Sequence, residues 1–248
     1  MHKFFVDTDQ IEDKKIYISG KDVKHIRDVL RLAENHRIEI SSNGVSYICS
    51  IEKILKDSIV VDVLTSTVGK HEPPIEILLY QGIAKGSKMD LIIQKGTEVG
   101  VREFGVISTN RSIVKISDKK KEKTRIERLS SIAEEAAKQS KRDCIPKVKG
   151  IFSFEDILEI LKDEDNIIVA YEDEDNLGMK EALGDIKGNR INLIIGPEGG
   201  FESYEIERLR EIGAKIVSLG PRILRTETAG IVASTMILYE VGDLGAIL

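Results

Sequence analysis

From Ile75 onward, short apolar runs alternate with stretches of helical periodicity, and this alternation restricts the fold more than any other pattern in the chain. Ile75 to Gln81, Phe104 to Ser108, Ile167 to Tyr171, Ile191 to Ile195 and Ala214 to Leu219 read as strands. Between the first two, Ser87 to Val99 reads as a helix, with Ser87 as cap, Asp90 three residues on and Gly100 as terminator. Ile126, Leu129, Ile132, Ala133, Ala136 and Ala137 mark the apolar face of a second helix near 125–140, and Ile206, Leu209 and Ile212 that of a third, ended by Gly213. Such alternation predicts an α/β fold in which helices cover both faces of a mostly parallel sheet.

The first 72 residues carry a different pattern. Lys15 to Ser19, Arg37 to Ser41, Tyr47 to Ile54 and Ser58 to Thr65 read as short strands, with Asn43-Gly44 as a hairpin turn. One helix, Lys21 to Leu32, interrupts them and offers Val23, Ile26, Val29 and Leu30 to a core, so a small β-barrel with one helix is expected. His71-Glu72-Pro73-Pro74 forms a stiff connector, because each proline fixes its own φ and restricts its predecessor. The expected domains are therefore 1–72 and 73–248. Cys49 and Cys144 form no C-x-x-C, and the four histidines show no ligand spacing, so neither a disulfide framework nor a metal site is expected. Acid interrupts the N-terminus too early for a signal peptide, and no apolar run is long enough to span a bilayer, so the expected location is cytoplasmic, with no membrane partner.

Function is most legible in Gly196-Pro197-Glu198-Gly199-Gly200-Phe201, which joins the Ile191 to Ile195 strand to the following helix. Loops in this position build ligand sites at the carboxyl ends of open sheets. A phosphate cradle would end in Gly-Lys-Ser/Thr, and here a carboxylate, Glu198, stands in the middle instead. The G-x-G-x-x-G dinucleotide fingerprint also fails, because the glycines fall at 196, 199 and 200. A neutral or cationic nucleoside suits the loop better, although the loop alone is equally compatible with a connecting turn.

A second turn, Leu219-Gly220-Pro221-Arg222-Ile223-Leu224-Arg225-Thr226-Glu227-Thr228-Ala229, follows the last strand. Two such turns after parallel strands would face one crevice. Thr226 is the expected cap of a final helix over about Glu227 to Tyr239, and helix-start chemistry alone accounts for Thr226 and Glu227. Arg222 and Arg225 read either as ligand-binding guanidiniums or as surface ion-pair partners. Charge is also uneven. Residues 85–149 hold 17 Lys and Arg against 9 Asp and Glu, a balance of +8, whereas residues 150–248 hold 9 against 20, a balance of -11. That asymmetry fits either a nucleic-acid footprint or solvated helices. Lys119-Lys120-Lys121 and Glu172-Asp173-Glu174-Asp175 read as solvated loops.

At the two turns the chain resembles the RsmE family, bacterial methyltransferases that place a methyl group on N3 of a uridine in small-subunit (16S) ribosomal RNA. Gly196-Pro197-Glu198-Gly199-Gly200-Phe201 and Leu219-Gly220-x-x-Ile223-Leu224-Arg225-Thr226-Glu227-Thr228-Ala229 carry the match. Supporting stretches are Lys3-Phe4-Phe5-Val6, His25 with Val29-Leu30-Arg31, Gln94 to Val101, Arg111 to Lys115 and Glu135 to Ser140. Lys3 stands where the family often has Arg, and Gly96 where alanine is usual.

The resemblance implies a trefoil-knotted SPOUT methyltransferase domain behind a PUA-like β-barrel, a homodimer, and S-adenosylmethionine as cofactor. Periodicity does not indicate a knot; chains in general avoid threading loops. Expected cofactor contacts are Tyr171, Glu172, Ile195, Gly196, Pro197, Glu198, Gly199 and Gly200 from the first side of the crevice. From the second come Leu219, Gly220, Ile223, Leu224, Arg225, Thr228 and Ala229. Expected catalytic residues are Arg225, to stabilise charge developing on the base, and Thr226 and Glu227, to orient the loop. Candidate contacts to 16S rRNA, free or within the 30S subunit, are Lys85, Lys88, Arg111, Lys115 and Arg142, with Lys3, Arg27 and Arg31 from the barrel.

Overall fold

The computed structural model of the protein describes residues 1–112 and 118–246. They divide into two compact units, 1–72 with 137–145, and 73–136 with 146–248. Residues 137–145 thus pack with the N-terminal unit, although they lie within the expected second domain.

The N-terminal unit holds β1 (Lys3–Phe5), β2 (Ile11–Glu12), β3 (Lys15–Ser19), β4 (Arg37–Ser42), β5 (Val45–Ile54) and β6 (Ser58–Val68) in the order β1-β4-β5-β6-β3-β2. Only β1–β4 is a parallel pair. Asn43 and Gly44, with φ of 47° and 77°, make the tight turn between β4 and β5 that their side chains allow at little cost. Register shifts between Ile48 and Cys49 and between Ile51 and Lys53 bend β5, as bulges do, so the sheet curls around Phe4, Ile16, Ile18, Ile38, Ile40 and Ile51. The helix is shorter than expected: α1 (Lys21–Lys24) passes into a π-helical turn over His25–Val29. Arg31 then adopts φ 51°, and the Leu32 N–H turns back to Ile26 O at 3.0 Å, which ends the helix before Leu32.

Two cations expected on an RNA-binding surface lie inside this unit instead. Lys3 is 5% exposed; its Nζ donates to Asp143 Oδ1 at 2.9 Å and lies 3.1 Å from Glu39 Oε1. Arg142 is 3% exposed and donates from Nε to Glu72 Oε1 at 3.2 Å. Both charges are neutralised within the fold. Burial pushes the Glu72 and Asp143 carboxyls up, but hydrogen bonds to Arg142 and Lys3 outweigh it, holding both below their ordinary 4.5 and 3.8. A carboxyl whose pKa is lowered by folding contributes stability above its unfolded pKa and loses it as pH falls through the folded value. Amide hydrogen exchange in residues 1–72 and 137–145 is therefore expected to accelerate once pH drops below 4.5. Equal protection free energies at pH 6 and pH 3, after correction for intrinsic exchange, would contradict this linkage.

In the second unit β7 (Glu76–Gly82), β8 (Glu103–Ser108), β9 (Lys147–Ser153), β10 (Ile167–Ala170), β11 (Arg190–Ile195) and β12 (Lys215–Val217) form a wholly parallel sheet in the order β12-β10-β11-β7-β8-β9. Its helices are α2 (Lys88–Val99), α3 (Lys119–Gln139, whose last residues belong to the other unit), α4 (Phe154–Leu161), α5 (Met179–Ala182), α6 (Ser203–Glu211) and α7 (Thr226–Val241). Ile157, Leu161, Ile206 and Leu209 of α4 and α6 bury Tyr80, Ile107, Val169 and Ile194 on one face. On the other, α7 packs against α2, β7 and β11. The alternation agrees with the expectation except at β9, α4 and α5, for which the sequence reading has no element, and at Lys119-Lys120-Lys121, which begin α3. The strand order reverses beside β7, where ligand crevices form at the carboxyl ends of open parallel sheets.

Candidate active site

The loops after β10, β11 and β12 meet at that carboxyl edge around a cavity of about 670 Å³, within the range of small-molecule and cofactor sites. Tyr171, Glu172, Ile195, Gly196, Pro197, Glu198, Gly200, Leu219, Gly220, Ile223, Leu224, Arg225 and Ala229 line it, together with Thr226. Asp175, Ser218, Pro221, Arg222 and Lys88 line it too and were absent from the expected cofactor contacts, Lys88 being expected at RNA and Arg222 read as ligand-binding or as a surface ion-pair partner. Asp175 lay in an acidic run that reads as solvated loop; its place after a central strand was the available signal.

Gly199 and Thr228 lie outside the lining. Gly199 faces Arg111, whose Nη1 donates to Gly199 O at 3.1 Å while its Nε donates to Glu202 Oε1 at 3.0 Å. Arg111, expected as an RNA contact, is a brace on the outside of the first turn. Lys88 is also engaged: its Nζ stands 3.3 Å from both Glu198 Oε1 and Glu227 Oε2, joining the first turn to the start of α7. Glu198 further accepts from the Lys85 N–H at 3.0 Å. Burial pushes the Glu198 carboxyl up, but these donors outweigh it and hold its pKa below 4.5, so it is ionised at neutral pH.

Thr226 is not the helix cap. Arg225 occupies that position, with φ -65° and ψ 150°, and Thr226 opens the helix buried, at 7% exposure. Its Oγ1 donates to Gly196 O at 2.6 Å and accepts from Gln81 Nε2 at 2.8 Å, so one hydroxyl ties both turns to β7. Gln81 has no place in the sequence reading because the contact spans 145 residues. Thr226→Val keeps the shape but strands the buried Gln81 donor and the Gly196 carbonyl, at about 1–3 kcal/mol. The melting temperature is expected to fall by several degrees in a scan, and an unchanged one would remove this tie from the account of the loops.

Charge in the cavity is arranged by wall. Glu172 and Asp175 follow β10, whereas Arg222 and Arg225 follow β12; both guanidiniums are exposed, and no ion-pair partner faces them among the described residues. Gly200, at φ 68°, brings the first turn so near Glu172 that an added Cβ would lie 2.4 Å from Oε1. Ile223 is 87% exposed at the rim, an apolar side chain presented to the opening. Acidic and basic walls with an open apolar lip fit a cationic nucleoside cofactor placed beside a second, electron-rich reactant. Among the described residues no group of three or more His, Cys, Asp or Glu is arranged for a metal ion, and no helix is long and apolar enough to cross a membrane.

Of the remaining expected RNA contacts, Arg27 is half-buried and donates to Asp28 and to Lys56 O, whereas Arg31 and the Lys85 side chain are exposed. Lys115 falls outside the described residues.

The chain is an RNA methyltransferase: residues 71–238 match the RNA methyltransferase domain family and residues 18–64 the RNA methyltransferase PUA domain. The Ribosomal RNA small subunit methyltransferase E of Bacillus subtilis (strain 168) is 39% identical over 97% of each chain, and that of Aquifex aeolicus (strain VF5) 32% identical over 92% of this chain and 95% of its own. The chain belongs to the ribosomal RNA small subunit methyltransferase E family. Among solved structures, the Neisseria gonorrhoeae enzyme of that name, bound to S-adenosyl methionine, superposes with a TM-score of 0.87 at 28% identity, covering 98% of this chain and 99% of its own.

Proposed function

We propose that this protein transfers a methyl group from S-adenosylmethionine to N3 of a specific uridine in 16S ribosomal RNA. Membership of the family makes it a ribosomal RNA methyltransferase dependent on that cofactor. The finer reading rests above all on the convergence of the β10, β11 and β12 loops around one cavity with an acidic and a basic wall. The cofactor supplies an electrophilic methyl group on a sulfonium sulfur. Residues 195–200 and 219–224 would hold its nucleoside and amino-acid parts, and Glu172, Asp175 and Glu198 suit its positive charge.

Uridine N3 is a poor nucleophile while protonated, so the site must favour the anion as the proton leaves to water or a neighbouring group. Arg225, charged and without a carboxylate partner among the described residues, is placed at the cavity to offset the charge developing on the base. Thr226 and Glu227 position that arginine, through Gly196 and Gln81 and through Lys88. The reading extends to residues 1–72 as a PUA-like RNA-binding domain, 73–248 as a knotted catalytic domain, a homodimer, a cytoplasmic location and a substrate within the 30S subunit. Labelled S-adenosylmethionine incubated with 30S particles and with free 16S rRNA, followed by nucleoside mass analysis, tests it. Labelled 3-methyluridine is expected; a ribose-methylated nucleoside or another modified base would overturn the assignment.

A further inference from the structure

A second cavity, of about 580 Å³, lies in the same unit between the Ala84 to Asp90 segment and the N-terminal half of α3. Lys120, Lys121, Arg125 and Arg128 line it, against two carboxylates, Asp90 and Asp118. Both acids already have partners: Asp90 pairs with Arg128, and Asp118 accepts from the Lys120 backbone N–H at 2.8 Å. Lys120, Lys121 and Arg125 find no carboxylate partner among the described residues. Arg125 is half-buried, and among the described residues its guanidinium has one long hydrogen bond, Nη2 to Ala84 O at 3.4 Å. Burial, and then the nearby Arg128 charge, pull its pKa below the usual guanidinium value. Asp90, already paired with Arg128, offsets this only in part, so a further anion would relieve a partly desolvated cation beside another cation.

We propose that this groove binds backbone phosphates of the substrate RNA. Lys120, Lys121 and Arg125 spread over roughly 7.5 Å of helix axis, at 1.5 Å rise per residue, and three such cations exceed what one phosphate requires, which favours a strand over a lone ion. The Lys85 to Lys88 loop walls the groove off from the first cavity: Gly86 lines the groove, whereas the Lys85 N–H and Lys88 Nζ hold Glu198 on the other side. A strand seated on α3 therefore runs one loop away from Arg225. Phosphate contacts of this kind place the strand without reading its sequence. This assignment takes the RNA methyltransferase reading as given.

The test uses the full-length chain with Lys120, Lys121 and Arg125 changed together to Gln, alongside Arg125→Lys, which keeps the charge. Filter binding to 16S rRNA across a salt series, KM for RNA, and calorimetry with S-adenosylmethionine are measured on each. The triple variant is expected to raise KM for RNA tenfold or more and to flatten the log-log salt slope by roughly two, at about 0.7 per single-strand phosphate contact. Arg125→Lys, which keeps all three charges, should stay close to the unsubstituted protein in KM and salt slope, and cofactor affinity should be unchanged in both variants. An unchanged KM and salt slope would overturn the assignment, as would weakened binding to 30S particles with unaltered affinity for free RNA, which would point to a ribosomal protein. Failure of the methyltransferase reading would show separately, as absent methyl transfer by the unsubstituted protein.

Discussion

Arg225→Ala is expected to lower kcat for methyl transfer by about 10²–10³-fold, the usual effect of removing one preorganised donor aimed at developing charge. Arg225 is the N-cap residue of α7, so its backbone is fixed by the helix start while its side chain lines the cavity. Truncation removes no hydrogen bond or ion pair within the described residues, so the melting temperature should hardly move. The loss therefore reports on chemistry rather than folding. Lys at this position should recover part of the rate, since it keeps the charge without the planar fork of donors. Near-normal turnover by Arg225→Ala, with unchanged affinity for S-adenosylmethionine, would mean that another group meets the charge on the base.

Gly82→Ala is expected to damage the proposed cofactor site although Gly82 does not itself line the cavity. Gly82 ends β7, and a Cβ there would lie 2.2 Å from Pro197 N and 2.6 Å from Gly196 C. Those are backbone atoms of the first turn, so no side-chain rotation relieves the overlap. Overpacking of this type costs about 1–3 kcal/mol or more. The turn must shift, and with it the Gly196 carbonyl that accepts from Thr226. Since about 1.4 kcal/mol is tenfold in affinity, binding of S-adenosylmethionine should weaken at least tenfold by calorimetry, and the melting temperature should fall. Gly178→Ala is the matched control, because an added Cβ there meets nothing within 4 Å. Unaltered cofactor affinity in Gly82→Ala would show that the approach of β7 to the first turn does not shape the site.

Much of this was legible in the residues alone, for reasons that also explain the gaps. Parallel strands covered on both faces are near-continuous apolar runs, so β7, β8, β10, β11 and β12 were readable. β9 was missed because Lys147-Val148-Lys149-Gly150-Ile151-Phe152-Ser153 is an edge strand, half exposed and interrupted by lysines and glycine. Its sequel α4 did leave a mark, the capping box formed by Ser153 and Asp156. Lys119-Lys120-Lys121 opens a helix rather than forming a loop, since propensity says little where charge dominates composition. Most of the cavity residues lie in the two motifs that carry the family resemblance, because each turn contributes consecutive positions; Asp175, Ser218 and Lys88 lie outside them.

What the residues could not reveal was pairing over distance. Lys3 meets Asp143 across 140 residues, and Arg142 meets Glu72 across 70, so two exposed-looking cations became buried ions with partners. Thr226 shows the same limit at the cavity between the two turns. Its type and position suit a cap, yet the fold uses its hydroxyl to join Gly196 to Gln81.

The most direct test is a crystal structure of this protein with S-adenosylhomocysteine, the demethylated product of the cofactor. The nucleoside is expected between residues 195–200 and 219–224, with the sulfur turned toward the side of the cavity that carries Arg225. A ligand seated elsewhere, or a saturating soak that leaves the space between those two turns without density, would contradict the mechanism.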